Sequence, residues 1–121
     1  MLTPTEEDQR RQVTIEQAEA DYFAGVEEEL LEVKRILDRE GKRKRLRKAL
    51  RKDAEQRLEA LQKPFGYGNG EWEALKAQMQ PGDELWEWCT SRASWNARMG
   101  NAGYELVRDG KYIASHVCAM N

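Results

Sequence analysis

The spacing of apolar residues between positions 15 and 37 constrains the fold more than any other feature of this chain. Apolar side chains recur there at steps of three or four residues, at Ile15, Ala18, Tyr22, Val26, Leu30, Val33 and Leu37. This spacing places them on one face of a helix that ends near Gly41. Residues 3–6 and residues 14–17 both have the pattern of a helix start, so residues 4–13 are either its first turns or a separate turn.

A second helix is predicted from residue 42 to residue 62, with Pro64 after its end. Two amphipathic helices joined by a short turn form a helical hairpin. Residues 1–40 carry 12 acidic and 5 basic residues, a net charge of −7, whereas residues 41–63 carry 10 basic and 3 acidic residues, a net charge of +7. Opposite charges favour antiparallel packing, although each exposed ion pair contributes only about 0–1 kcal/mol.

Glycines at positions 66, 68 and 70 indicate a boundary between a first unit, residues 1–63, and a second, residues 64–121. A short helix is expected over residues 71–80. The segment 84–90 is rich in strand-forming residues, and alternation places Trp86 and Trp88 on one face of that strand. Leu85, Glu87 and Cys89 share the other face. Residues 91–103 are expected to be a connection with a helical turn around Trp95.

Asp109-Gly110 stands between two alternating segments and predicts a β-hairpin. A two-residue turn places Arg108 opposite Lys111 and Leu106 opposite Ile113. One face then carries Tyr104, Leu106, Ile113 and Val117, and the other carries Glu105, Val107, Tyr112, Ala114, His116 and Cys118. The expected fold is therefore α+β, with an N-terminal charged helical hairpin, a short helix and a C-terminal three-stranded antiparallel sheet.

Composition narrows the class of protein. The 121 residues are 35% charged, and their mean hydropathy is −0.90. No apolar segment is long enough to span a bilayer, and the N-terminus lacks a secretory signal pattern. Two cysteines are too few for a disulfide framework, so free thiols and a cytoplasmic location are expected. The sheet unit has a small core, which suggests a homodimer.

Four short segments of the C-terminal half form a distinctive pattern. Its parts are Gly82-Asp-Glu-Leu-Trp-Glu-Trp88, Ser94-Trp95, Gly103-Tyr-Glu-Leu-Val-Arg-Asp-Gly-Lys111 and Met120-Asn121. This pattern resembles that of a family of small uncharacterised bacterial proteins. The resemblance covers about residues 72–121 and implies a self-contained module of bacterial or phage type. It implies no activity, cofactor or catalytic residue.

The segment 42–52 is the strongest candidate for binding phosphate groups, since 8 of its 11 residues are basic. Such a segment either contacts nucleic acid or a nucleotide, or forms a solvated face that pairs with the acidic helix. The sequence pI of about 5.6 argues against a nucleic-acid-binding domain. Consecutive glutamates at positions 27–29 point in directions about 100° apart on a helix, so they do not converge on a metal ion.

His116, Cys118 and Cys89 are the candidates for nucleophilic or zinc chemistry. A second histidine, a C-x-x-C spacing and a glycine-rich oxyanion turn are all missing from the sequence, so structural roles are expected. Asp83, Glu84 and Glu87 do not form a catalytic carboxylate pair, because neighbouring strand residues point to opposite faces. We therefore predict no catalytic residue, no metal site and no cofactor.

The tryptophans are either core residues or an aromatic surface for a partner. The sequence favours a non-enzymatic protein-interaction module, such as a small bacterial or phage inhibitor or adaptor. Its partner is another protein or a second copy of the chain. The alternative is a binder of nucleic acid or a nucleotide through residues 42–52, and an enzyme ranks third. The residues predicted to contact a partner are Arg45, Arg47, Arg51, Trp86 and Trp88.

Overall fold

A computed structural model describes residues 1–40 and 48–121, which form an α+β fold with an antiparallel sheet. The described strands are β1 (Gln9–Val13), β2 (Glu84–Cys89), β3 (Asn101–Arg108) and β4 (Lys111–Met120). The described helices are α1 (Ile15–Glu40), α2 (Lys48–Leu61), α3 (Asn69–Gln78) and α4 (Arg92–Asn96), with a 3-10 turn at Gly66–Gly68. The strands lie in the order β1-β2-β3-β4.

The sheet has four strands in the described residues, not the three that the sequence predicts. The additional strand is β1, which pairs antiparallel with β2, with Val13 opposite Leu85 and Arg11 opposite Glu87. The sequence prediction was wrong here because Gln-Arg-Arg-Gln has neither apolar alternation nor strand-forming residues. The pairing of β1 with β2 depends instead on side-chain contacts between the two strands, such as the ion pair of Arg11 with Glu87. The sheet consequently contains a strand from each side of the residue-64 boundary.

Helix α1 begins at the second of the two predicted starts. The Thr14 hydroxyl accepts a hydrogen bond from the backbone N–H of Gln17 at 3.1 Å, and the Gln17 side chain accepts one from the backbone N–H of Thr14 at 2.8 Å. These reciprocal bonds form a capping box. The capping box immediately after β1 turns the chain from the sheet edge into α1.

The hairpin at Asp109-Gly110 forms, but its register changes two residues from the turn. Arg108 lies opposite Lys111 as predicted, whereas a β-bulge places Leu106 opposite Ala114. An extra residue in one strand reverses the faces of the residues beyond it. His116 therefore lies opposite Tyr104, and Val117 lies opposite Gly103. Each of these two residues therefore lies on the face of the sheet opposite to the face predicted for it.

The main core lies between one face of the sheet and two helices. Ala18 of α1 and the fully buried Trp72 and Leu75 of α3 pack against sheet residues that include Leu85 and Leu106. This covered side is called the inner face, and the other side is called the outer face. Trp72 donates from Nε1 to Glu19 of α1 at 3.0 Å. A hydrogen bond thus joins the two helices above the inner face.

The second half of α1 packs antiparallel against α2. Tyr22 donates a hydrogen bond to the backbone oxygen of Leu61 at 2.9 Å, and Arg57 forms an ion pair with Glu29. Val33 and Ala54 are buried in a small apolar cluster between the helices. The predicted turn at Gly41 and the first residues of the predicted second helix lie outside the described residues. The contacts between α1 and α2 are those of two antiparallel helices.

The packing around Gly103 leaves no room for a side chain. A Cβ added there would clash with the backbone oxygen of His116 and would lie 2.9 Å from Trp88 Cη2. We predict that Gly103→Ala lowers the free energy of unfolding by about 1–3 kcal/mol through overpacking. Gly25→Ala is the control, since a Cβ at that helical position meets no atom within 4 Å. It should raise stability by about 0.5–1 kcal/mol.

Urea denaturation of both variants measures these two changes. A Gly103→Ala protein as stable as the unmodified chain would contradict the close strand packing.

Candidate functional site

The outer face of the sheet carries both tryptophans that the sequence predicts as contact residues. Trp86 and Trp88 are partly exposed and lie on the same side of β2, opposite Gln12 and Arg10 of β1. Helices α1 and α3 pack on the inner face, so neither of them covers this pair. The sequence left open that these tryptophans form the core beneath a helix. Trp72, not Trp86 or Trp88, is the fully buried tryptophan. Trp86 and Trp88 are therefore surface residues rather than core.

Polar neighbours hold the two outer tryptophans in place. The guanidinium of Arg10 lies 4.4 Å from the ring centre of Trp86, and it also forms an ion pair with Glu105. Trp86 Nε1 donates to Glu84 at 2.9 Å, and Trp88 Nε1 donates to Asn101 at 2.6 Å. Because both indole N–H groups are satisfied within the chain, a partner would contact the apolar parts of the rings.

Further exposed apolar side chains continue this surface on β4. Tyr112 is 62% exposed, and Val117 is 41% exposed. Val117 lies opposite Gly103, which pairs with Trp88, so the exposed residues extend across adjacent strands. The outer face thus combines aromatic and aliphatic groups with one cation and two carboxylates.

Arg51, the one predicted basic contact residue that the structure describes, is not part of this surface. Arg51 lies in α2 and pairs with Glu55 of the same helix at 3.1 Å. Arg45 and Arg47 lie outside the described residues. The structure brings Trp86 and Trp88 together and leaves Arg51 on the helical arm formed by α2 and the second half of α1.

A cavity of about 550 Å³ lies on the inner face. Aromatic side chains form much of its wall, with contributions from Tyr22, Phe65, Trp95 and Tyr104. Residues 1–4 also line it. Its volume is within the range of small-molecule sites in proteins, about 300–1,000 Å³. Sequence analysis missed this cavity because its wall comes from distant segments.

Glu87 is a buried carboxylate in the cavity wall, with only 3% of its surface exposed. Arg11 donates from Nε to one of its oxygens at 2.8 Å. The Tyr104 hydroxyl and the backbone N–H of Leu2 donate to the other oxygen at 3.4 and 3.3 Å. Burial of a carboxylate requires such partners. The sequence did contain a signal for this carboxylate, because Glu87 shares one face of β2 with the apolar Leu85 and Cys89.

Both thiols are held in the neutral form. Cys118 is exposed to the cavity yet closely surrounded by protein, and burial raises its pKa to about 12, with a smaller contribution from the charge on Glu87. Burial also raises the pKa of Cys89, partly offset by the neighbouring Trp95 side chain. The Cys118 sulfur contacts the backbone oxygen of His116 at 3.9 Å. This environment opposes formation of a thiolate nucleophile.

His116 is buried on the inner face, 3% exposed, with its ring against Phe65 and Trp72. Burial lowers its pKa, and the opposing effect of Glu71 is smaller. Its Nδ1 has no hydrogen-bond partner among the described residues, and Glu71 Oε2 lies 3.6 Å away. Burial therefore favours the neutral form of the His116 imidazole.

Within residues 1–40 and 48–121, no three His, Cys, Asp or Glu side chains are grouped closely enough to hold a metal ion. In the same part of the chain, no helix is both long and apolar enough to cross a bilayer. Comparison with protein-family models, curated proteins and solved structures gives no significant match. Functional inference consequently depends on the geometry described above.

The raised pKa of Cys118 predicts slow alkylation. A pKa above the usual 9.0 lowers the thiolate fraction at neutral pH, and the thiolate is the form that iodoacetamide alkylates. We expect iodoacetamide at pH 7.5 to label the folded protein at least tenfold more slowly than free cysteine, and the urea-unfolded protein at the ordinary rate. Mass spectrometry measures both rates. Labelling of folded Cys118 as fast as free cysteine would contradict this environment.

The lowered pKa of His116 predicts that stability falls with acidity. Below its ordinary pKa of 6.5, His116 takes up a proton in the unfolded chain but not in the folded chain, so protons favour unfolding. The free energy of unfolding should decrease as the pH falls from 7.5 to 5.5. His116→Gln should flatten this dependence, as measured by urea denaturation at three pH values. An unchanged slope in the variant would exclude His116 as the cause.

Proposed function

We propose that this chain is a non-enzymatic protein-interaction module whose contact surface is the outer face, and that this surface joins two copies of the chain. The observation that supports the proposal is the position of Trp86 and Trp88, fixed by hydrogen bonds on a sheet face that helices α1 and α3 leave open. Tryptophan residues that are held in place are typical anchors of protein interfaces.

Charge favours a second copy as the occupant. The outer face carries Arg10 together with Glu84 and Glu105, so both signs are present within one surface. A two-fold axis brings a surface against a copy of itself, which allows cations of one copy to face carboxylates of the other. Such a surface is self-complementary without a separate acidic or basic partner.

The size of the outer face indicates a weak dimer. Four strands about 4.8 Å apart and about seven residues long on average give a face of roughly 19 by 24 Å, or about 460 Å². Stable interfaces of standard size bury about 800 Å² per partner. We therefore expect a dissociation constant in the micromolar range rather than a permanent dimer. The dimer would carry two helical arms, and if the chain is an inhibitor or adaptor these arms would bind a further protein.

The alternative, a nucleic-acid or nucleotide binder, depends on the basic segment 42–52. The outer face does not favour phosphates, because its cation Arg10 is already paired with Glu105 and two carboxylates lie beside the tryptophans. An aromatic platform for bases normally lies within a positively charged groove. The protein-interaction proposal is therefore preferred for this surface.

Sedimentation equilibrium across a concentration series tests the proposal. The unmodified chain should dimerise, and Trp86→Thr should weaken dimerisation at least tenfold, because threonine retains strand propensity but removes the aromatic contact. Tyr67→Thr is the matched control. It removes an 80% exposed aromatic side chain outside the sheet and should leave the dimer unchanged.

A monomer throughout the series, or equal dimerisation of the Trp86→Thr and unmodified proteins, would refute the proposal. Titration with single-stranded RNA examines the alternative. RNA binding that falls steeply with salt and is lost on substitution of Arg45, Arg47 and Arg51 by glutamate would favour it.

A further inference from the structure

The charged groups of the inner cavity are predominantly carboxylates. Glu87 lies in the wall, Asp21 lies beside it, and Glu71 stands 79% exposed at the solvent side. Arg11 contacts both Glu87, at 2.8 Å, and Asp21, at 3.2 Å, and the N-terminal ammonium of Met1 also pairs with Asp21, at 3.1 Å. Among the described residues, no lysine or arginine side chain lines the cavity.

Four aromatic residues also line the cavity. Rings of Tyr22, Phe65, Trp95 and Tyr104 line the same space, and Phe65 packs against both Tyr22 and Tyr104 with ring centres 5.4 and 5.5 Å apart. The faces of such rings are electron-rich and attract cations. Aromatic rings and carboxylates together form the wall that organic ammonium groups prefer.

His116 gives an independent indication of a ligand. Its imidazole lines the cavity and is 3% exposed, yet its Nδ1 has no hydrogen-bond partner in the described chain. Buried polar atoms are normally satisfied, so an unsatisfied one beside a cavity indicates a missing partner. Glu71 Oε2 lies 3.6 Å from this nitrogen, just beyond hydrogen-bond distance. A ligand that shifts the Glu71 side chain slightly would bring the two groups into contact.

From this combination we propose that the inner cavity is a binding site for an organic cation, an amine or quaternary ammonium with an apolar body. The apolar groups lie against the aromatic rings, and the positive charge lies towards Glu71 and Glu87. An anionic ligand is disfavoured, because the cations beside these carboxylates, Arg11 and the N-terminal ammonium, are already paired with Glu87 and Asp21. The aromatic rings and carboxylates of this site lie on the opposite side of the sheet from Trp86 and Trp88, so either proposal can fail without the other.

Three benzyl compounds that differ mainly in charge test the proposal by isothermal titration calorimetry on the full chain. Benzyltrimethylammonium is the cation, benzyl methyl sulfone is neutral, and phenylmethanesulfonate is the anion. The cation should bind at least tenfold more tightly than the sulfone, and the sulfonate should bind more weakly than the sulfone. Equal or tighter binding of the neutral or anionic compound would overturn the proposal, as would undetectable binding of the cation at millimolar concentration.

Two neighbouring glutamates of α3 provide a charge control. Glu71→Gln removes a cavity carboxylate, whereas Glu73→Gln removes the same charge from a residue that pairs with Lys76 and does not line the cavity. The first substitution should weaken binding of benzyltrimethylammonium three- to tenfold, and the second should change it less than twofold. Equal effects would show that the cavity carboxylate does not hold the cation.

Gly25→Leu provides a steric test that preserves the fold. Gly25 lines the cavity from α1, and a Cβ there meets no atom within 4 Å, so leucine enters open space and replaces a helix-weakening glycine. The variant should melt at or above the temperature of the unmodified protein and lose cation binding. Gly70→Leu, at an open position outside the cavity, should retain it. Full binding by Gly25→Leu would exclude this cavity.

Discussion

The ion pair between Arg11 and Glu87 is the contact on which the arrangement of the chain depends. Glu87 occupies a buried position in β2, and a buried carboxylate without a partner costs several kcal/mol. Arg11 satisfies it only when β1 pairs with β2 in the observed register. The capping box at Thr14 then fixes the start of α1 on the inner face. The position of α1 in turn sets the cavity and the contact with α2.

This arrangement gives the two faces of the sheet different chemistry. The inner face is covered by α1 and α3 and carries neutral thiols, an imidazole with a lowered pKa and a paired carboxylate. These groups suit binding better than nucleophilic attack, since neither cysteine is activated as a thiolate. The outer face carries ordered tryptophans whose polar atoms are already bonded within the chain. A contact surface and a separate small-molecule site are therefore compatible in one small fold.

Local patterns predicted the elements that local interactions determine. The apolar spacing from Ile15 located α1, Asp109-Gly110 located the hairpin, and alternation in β2 placed Trp86 and Trp88 on one face. In each case the period of the pattern matches the geometry of the element, so neighbouring residues suffice to identify it.

The features that sequence analysis missed depend on distant residues. Strand β1 is polar, and it is stabilised by Arg10 and Arg11 contacting residues more than 70 positions away. The bulge at Ile113 has no signal in the turn, yet it moves His116 to the inner face. The cavity depends on both strand β1 and the bulge, because its wall includes His116 and residues of α1. The spacing of apolar residues along the chain contains no information about such contacts.

The chain has one tryptophan in the core, two on the outer face and one in the cavity wall, so its four indole N–H signals report on the separate regions. Nuclear magnetic resonance spectra recorded from about 20 µM to about 500 µM protein, a range that brackets a micromolar dissociation constant, test the central claim most directly. The account predicts shifts for Trp86 and Trp88, with Trp72 and Trp95 unchanged. Signals that are independent of concentration, or shifts confined to Trp72 and Trp95, would contradict it.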